Sequence, residues 1–440
     1  MPKPRVSVIG TGYLGATHAV CMTELGFEVI GLDLDPTKIA KLAAGEVPFF
    51  EPGLGELLRK SLDTGRLRFT SSWAEVAEFA DVHFVCVGTP QKKGEYAADL
   101  SFVEAAFGTL APLLRPGALV VGKSTVPTGT AEWMADLVQA LAPEPDAVEV
   151  AWNPEFLREG FAVEDTLHPD RLVFGVRSAA AEARLREVYA PVIEAGSPVV
   201  VTDFATAELV KVAANSFLAT KISFINAMAE VCEVVHADVT ALSEALGYDE
   251  RIGRRFLQPG LGFGGGCLPK DIRAFMARAG ELGADQALAF LKDVDAINMR
   301  RRARTVDLGR ELLDGSFHGA RVGVWGAAFK PNSDDIRDSP ALDVAESMQQ
   351  HGADVVVYDP AAMDNARILY PQLFYAASAL DAARGADLVL LLTEWSEFRE
   401  MDPRVLGNVV RTRRIVDGRN ALDPVAWRAS GWTYRALGRP

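Results

Sequence analysis

Short apolar runs, each ending in polar or glycine-rich residues, recur along the first 200 residues of the chain and again along the last 120. RVSVIG, FEVIGLDLD, DVHFVCVGTP (81–90), ALVVGKSTVPTGT (118–130) and VEVAWNPEFLREG (148–160) form the first set. ARVGVWGAAFKPNSDDIRDSP (320–340), GADVVVYDP, GADLVLLLTEW and RRIVDGRN form the second. Such runs, bounded by turn residues and separated by longer stretches, predict buried strands alternating with helices. Between the two sets, ATAELVKVAANSFLATKISFINAMAEVCEVV (205–235) has no Gly or Pro and repeats apolar residues every three or four positions. That pattern predicts one long helix, with Asp203 placed to cap its start. Its length suits a spine between domains or a dimer interface. The expected fold is therefore α/β, with two Rossmann-like doubly wound domains joined by a long central helix and a helical dimerisation region. The expected domains are 1–202, 203–300 and 318–440, with HGARVGV (318–324) opening the last and 301–317 as the linker.

The turn after the first strand carries chemistry. Gly10, Gly12 and Gly15 make GxGxxG between an apolar strand and a helix. The first glycine allows the sharp turn, the second lets backbone approach a pyrophosphate, and the third allows close helix–strand packing. The helix then turns its unpaired N–H groups toward the phosphates. Asp33 ends the second strand, where an acid suits the ribose hydroxyls of NAD and repels the extra phosphate of NADP. Lys38 lies just beyond, within reach of the adenosine side. The alternative is a plain glycine turn with a solvent-facing aspartate. In an open α/β sheet, ligands sit beyond the carboxyl ends of the strands, which gathers Thr89, Thr125, Glu155 and Glu159 beside the nicotinamide end.

Composition narrows the choice of function. A chain of 440 residues has room for about three domains at ~150 residues each. Its hydrophobic share of 49% supports large cores, and its net charge of −14 argues against a general nucleic-acid binder. A local basic pocket stays open: Lys330, Arg337 and Arg419 suit a phosphate-bearing substrate, or are scattered surface charge. The four cysteines, Cys21, Cys86, Cys232 and Cys267, form no zinc-ligand spacing, so no metal is expected. No signal peptide and no membrane-spanning apolar run is visible, which gives the expectation of a cytoplasmic protein with reduced thiols and no membrane partner. Cys21 and Cys86 read as packing. Cys232, among Val231, Val234 and Val235, reads as core.

GFGGGCLPKD (262–271) is different. Gly260, just before it, and Gly262, Gly264, Gly265 and Gly266 make a pliant loop in which backbone can wrap a ligand. Cys267 sits where the loop becomes ordered, and Asp271 follows four residues later. A helix N-terminus and a nearby Lys211 or Lys270 would lower its pKa, which points to a nucleophile, with a core thiol as the alternative. On the long helix, Lys211 and Asn215 stand at i, i+4, where two donors would suit a developing oxyanion, or a solvated lysine beside a packing amide. A thiol beside NAD allows an aldehyde to be captured as a thiohemiacetal, oxidised to a thioester and hydrolysed.

Taken together, VIGTGYLG, VGTP, KSTVPTGT, NPEFLREG, ELVKVAANSF, GFGGGCLPKD, AAFKPNSDDIRDSP and DGRN resemble the UDP-glucose/GDP-mannose dehydrogenase family from end to end. RIGRRFLQPGLGFGGGCLPKD and LTEW are most similar to bacterial members acting on UDP-glucose. The resemblance implies Cys267 as catalytic thiol, Lys211 and Asn215 as oxyanion stabilisers, Asp271 as an acid that helps activate water, and Thr125 with Glu155 as a water-holding base pair. It implies NAD contacts from Gly10, Gly12, Tyr13, Gly15, Asp33, Lys38, Thr89, Thr125, Glu159, Lys270 and Arg337. It implies sugar-nucleotide contacts from Glu155, Phe156, Leu157, Lys211, Asn215, Phe263, Gly264 and Lys330, with Arg251 reaching across a homodimer and Arg419 supporting the sugar site. The implied reaction is a four-electron oxidation of UDP-glucose to UDP-glucuronate. Its rivals are the same chemistry on GDP-mannose, a one-step β-hydroxyacid-type dehydrogenase, and a non-catalytic NAD-sensing protein.

Overall fold

The computed structural model describes residues 3–440. They form two compact units, Met1–Ala214 with Arg273–Gly283, and Asn215–Ile272 with Ala284–Pro440.

The first unit is built on one sheet. Its strands are β1 (Val6–Ile9), β2 (Val29–Leu32), β3 (Leu67–Thr70), β4 (Val82–Val85), β5 (Leu119–Gly122), β6 (Glu149–Trp152), β7 (Leu172–Val176) and β8 (Val199–Thr202). They lie in the order β3-β2-β1-β4-β5-β6-β7-β8. The first six are parallel and follow the doubly wound dinucleotide-binding order. β7 then runs antiparallel to β6, and β8 parallel to β7. Strand alternation explains why both faces are apolar. Val6, Val8, Phe84 and Val121 feed one core, while Ile9, Val85 and Val120 feed the other.

The glycine turn shows why this sequence bends as it does. Gly10 has φ +86, and a Cβ on Gly15 would lie 1.8 Å from the Gly10 carbonyl oxygen. No other residue lets the Tyr13–Glu24 helix come this close to the end of β1.

The second unit repeats the plan. β9 (Arg321–Trp325), β10 (Asp354–Tyr358), β11 (Phe374–Tyr375), β12 (Leu388–Leu391), β13 (Arg414–Asp417) and β14 (Thr433–Ala436) form a sheet ordered β11-β10-β9-β12-β13-β14. All its pairs are parallel. The switch point at the end of β9 is closed by protein. Buried Asp359, which follows β10, accepts the N–H groups of Ala327 and Ala328 at 2.8 and 3.0 Å, the groups that a phosphate would need there.

The long helix runs Phe204–Val235, and Asp203 caps it by accepting the Thr206 N–H at 2.7 Å. Cys232 is buried with Ile225, Ala229, Val239 and Leu257, whereas its sequence neighbours Val231, Val234 and Val235 are exposed. The stretch expected as a linker begins inside another helix, Phe290–Leu312. Two arginines at the start of that stretch are buried and paired, Arg301 with Glu233 at 3.2 Å and Arg302 with Asp338 at 2.8 Å. Among the described residues no helix is long and apolar enough to cross a membrane, and no cluster of His, Cys, Asp and Glu could hold a metal ion.

One expected outcome follows from the turn. Gly15→Ala should destabilise the protein by more than the roughly 1 kcal/mol of an average substitution, because the opposing atom is backbone and cannot swing away. Chemical denaturation of the variant measures it.

Candidate active site

In the first unit the dinucleotide turn is shaped for an anion. Gly12 is the N-cap of the Tyr13–Glu24 helix, and no side chain caps that end. A Cβ on Gly12 would meet nothing within 4 Å, so the space in front of the helix N-terminus is open to a pyrophosphate. The residues therefore fit a dinucleotide. Asp33 stands at the end of β2 and accepts the Thr11 N–H at 2.9 Å and the Lys38 ammonium at 2.8 Å. Burial works against its charged form, but Lys38 and the N–H groups of Asp35 and Thr11 outweigh it and hold the carboxyl below its ordinary pKa. It is an anion ready to accept hydroxyls. The Tyr13 hydroxyl donates to buried Glu51, which also accepts the Gly160 N–H at 2.7 Å, so Tyr13 is fixed over the turn that follows Glu159.

The carboxyl ends of β5 and β6 carry the next group. The Thr89 hydroxyl donates to the Thr125 carbonyl at 2.8 Å. Glu155 accepts the N–H groups of Phe156 and Leu157 at 2.7 and 2.9 Å with one oxygen, and its other oxygen lies 3.1 Å from the Lys123 ammonium. Lys123 is buried and also donates to Asn153 at 3.0 Å and Tyr189 at 3.3 Å. Sequence reasoning passed over this lysine. A charged residue at the end of an apolar run, VVGKST, was the available signal, because a buried ammonium needs a partner. Lys211 is 8% exposed, with its ammonium 5.5 Å from the centre of the Phe156 ring; the Arg171 guanidinium, also unforeseen, lies 3.8 Å from the same ring.

In the second unit the glycine loop is pressed against the segment after β9. A Cβ on Gly264 would lie 2.2 Å from the Asp338 carbonyl oxygen, and one on Gly265 would lie 2.8 Å from the Phe329 ring. Gly266 faces the Arg337 guanidinium, which lies at the end of a flexible, exposed side chain. Phe263 is buried, and Asn298 both accepts its N–H at 2.8 Å and donates to its carbonyl at 2.9 Å. Arg419 donates to three carbonyls, Leu392 at 2.7 Å, Gly262 at 2.9 Å and Phe329 at 3.0 Å. Its guanidinium thus ties the glycine loop to the ends of β9 and β12. Lys330 has its ammonium 5.4 Å from the Phe329 ring. Arg251 lies in solvent, paired with Asp249 at 2.6 Å.

Cys267 closes the loop and opens the Leu268–Glu281 helix: its carbonyl accepts the Asp271 N–H at 2.9 Å, which makes it the N-cap residue. Its side chain is exposed, whereas Cys21, Cys86 and Cys232 are buried. Burial pushes the Cys86 thiol up to about 12 and raises those of Cys21 and Cys232, so all three stay protonated and unreactive. Asp271 is 2% exposed; it accepts the Asn215 amide at 2.7 Å and pairs with Lys270 at 2.7 Å. The geometry thus assembles Cys267, Lys270, Asp271 and Asn215 in one unit, and Glu155 and Phe156 with Lys211 in the other, where Thr125 is joined to Thr89.

Comparison with known proteins covers the same ground. The family description "UDP-glucose/GDP-mannose dehydrogenase family, NAD binding domain" matches residues 4–193, the central domain of that family matches 205–300, and its UDP binding domain matches 323–424. A UDP-glucose 6-dehydrogenase of Rhizobium meliloti is 41% identical over 99% of this chain and 100% of its own length. Another, of Pseudomonas aeruginosa, is 40% identical over 99% of this chain and 98% of its own. Among solved structures, a UDP-glucose dehydrogenase from the hyperthermophilic archaeon Pyrobaculum islandicum is similar with a TM-score of 0.92 at 38% identity, covering 100% of this chain and 98% of that one. With three consecutive family domains matched along its length and relatives at this identity end to end, the chain belongs to the UDP-glucose/GDP-mannose dehydrogenase family.

Proposed function

We propose that this chain oxidises the C6 alcohol of UDP-glucose to the carboxylate, giving UDP-glucuronate with two NAD reduced and one water consumed per sugar. The observation that carries this reading is Cys267, the exposed thiol of the four, held at a helix start by a glycine loop in a chain that also has an open dinucleotide turn.

NAD, when bound, would supply the hydride acceptor for both oxidations. Gly10, Gly12 and Gly15 shape the pyrophosphate turn and Asp33 receives ribose hydroxyls; Tyr13, Lys38, Thr89, Thr125, Glu159, Lys270 and Arg337 complete the cofactor contacts. The first oxidation removes a hydride from C6 and a proton from its hydroxyl, leaving the aldehyde. The Cys267 sulfur then adds to that carbon, and Lys211 and Asn215 stabilise the oxyanion of the thiohemiacetal. Loss of the second hydride makes the thioester. Water, oriented by Thr125 and Glu155 with help from Asp271, attacks the carbonyl and releases the carboxylate and the free thiol. The Lys123 ammonium, 3.1 Å from the Glu155 carboxylate, holds it in place for this step.

Phe156, Leu157, Phe263, Gly264 and Lys330 hold the sugar nucleotide. Arg419 acts through the three carbonyls it binds rather than by pointing at the sugar. Residues 1–202, 203–300 and 318–440 serve as cofactor, central and sugar-nucleotide domains. The protein works as a homodimer to which the partner contributes the solvent-exposed Arg251. In support of a dimer, Phe217, Phe224 and Val231 stand seven residues apart on the long helix and are all exposed, Phe217 by 66%.

Three outcomes check the reading. With limiting UDP-glucose and excess NAD, about two NADH should form per sugar consumed. One NADH would mean that oxidation stops at the carbonyl, and a response to GDP-mannose alone in a parallel sample would move the substrate. Cys267→Ser should stall after a single turnover, because an oxygen ester leaves far less readily than a thioester; normal multiple turnover would remove the nucleophile. Gly12→Val should leave the thermal midpoint near that of the parent and weaken NAD binding roughly tenfold or more, because its side chain enters the space kept for the pyrophosphate. Equilibrium titration with NAD reads the loss, and unchanged affinity would place the dinucleotide elsewhere.

A further inference from the structure

The loop between β5 and the Thr130–Leu141 helix is gripped from two sides by charges that the chemistry above leaves without a task. Glu208 is 2% exposed and lies one turn before Lys211 in the long helix. One of its carboxylate oxygens accepts the Gly129 N–H at 2.8 Å, and the other accepts the Ala131 N–H at 2.7 Å. Gly129 is the N-cap of the Thr130–Leu141 helix, has φ +99, and offers no side chain to cap it. Glu208 therefore caps one helix from the flank of another, with a negative charge at the positive end of the helix dipole. The Arg278 Nε donates to the Thr128 carbonyl at 3.0 Å, so the Thr128–Gly129 peptide group is held by a carboxylate at its N–H and a guanidinium at its C=O. Within the loop the Thr130 hydroxyl donates to the Pro127 carbonyl at 2.6 Å, which leaves few free torsions between Thr125 and the anchored residues.

Full burial of a carboxylate at this place is costly, and two charge-assisted hydrogen bonds to main-chain N–H groups answer that cost only at one register of the helix against the loop. We propose that Glu208 is a positioning residue that sets the register of the Lys211 helix against the Thr125 loop, with Arg278 as the second arm of the grip. The inference rests on the reading of Lys211 and Thr125 as parts of the catalytic machinery. Burial raises the Glu208 pKa to about 7 against the pull of the Gly129, Ala131 and Thr130 N–H groups and of Arg278, the charged group that faces it from the Leu268–Glu281 helix. The two N–H bonds at the carboxylate oxygens are thus ones that a single proton weakens.

Glu208→Gln tests this. The amide keeps the shape but brings a donor to one of the two N–H groups, so one bond is lost and the loop is free to shift. The expected result is a fall in kcat of about tenfold or more with KM for both substrates within about threefold, as for a small misplacement of reacting groups. In a Thr125→Ala background the same substitution should cost little, because the residue it positions is already gone. An unchanged kcat, or a loss that simply multiplies with that of Thr125→Ala, would overturn the inference and leave Glu208 a structural cap. If Thr125→Ala by itself turns over normally, the underlying reading of the loop fails instead, and this inference falls with it. Should Glu208→Gln not fold, Arg278→Met carries the test under the same criterion, since it loosens the same loop from the carbonyl side.

Discussion

Main chain that packs against main chain at less than the distance a Cβ allows is the constraint on which both units rest. At Gly15 it lets the first helix close on the Gly10 carbonyl and aims an uncapped N-terminus at open space. At Gly264 it lets the cysteine loop lie on the Asp338 carbonyl. In each case the missing side chain is not a gap but the means by which one backbone segment fixes another without intervening atoms to yield. Reactive groups mounted on such contacts inherit their rigidity.

Buried charge performs a second kind of fixing. Lys123, Glu208 and Asp271 each lose their water and recover the energy only through several short contacts to one geometry, and partly buried Arg419 works in the same way. None of these side chains simply pairs with an opposite charge at the surface, where the interaction would be weak and the geometry loose. Three of them bind main chain or an active carboxylate at the ends of strands, the places where loops must otherwise be free to vary. The scaffold therefore spends its buried polar groups on loop position, and leaves the sheet to apolar packing.

The two sheets show how the same topology is put to different use. In the first, the acid after β2 accepts the Thr11 N–H beyond β1, and the space a Cβ on Gly12 would fill stays open beside it. In the second, the acid after β10 is buried and takes the equivalent N–H groups for itself. A shared strand order thus does not imply a shared ligand mode. The strand pattern alone made the two domains look alike; the number of N–H groups beyond β1 or β9 that the aspartate takes, one in the first and two in the second, sets them apart.

The central strands of both sheets, the long helix and its cap, and the dinucleotide turn were legible in the residues, because each rests on local periodicity and on glycines whose spacing has one economical explanation; the outer strands β3, β7, β8, β11 and β14 were not. Cys267 was legible too, since a cysteine in a polar glycine loop has no core to join. The roles of Lys123, Glu208 and Arg171 were not, nor was the burial of Arg301 and Arg302 in a stretch that reads as a linker. Each of these depends on a partner 15 or more residues away in sequence, and a charge pattern does not record which partner it will meet. The sequence by itself determined the central strands, the long helix and the glycine turn, because these follow from short-range sterics and side-chain chemistry. Only the tertiary structure decided which carbonyls Arg419 joins and which N–H groups Glu208 caps, because burial and hydrogen-bond partners are properties of chain segments brought together by folding.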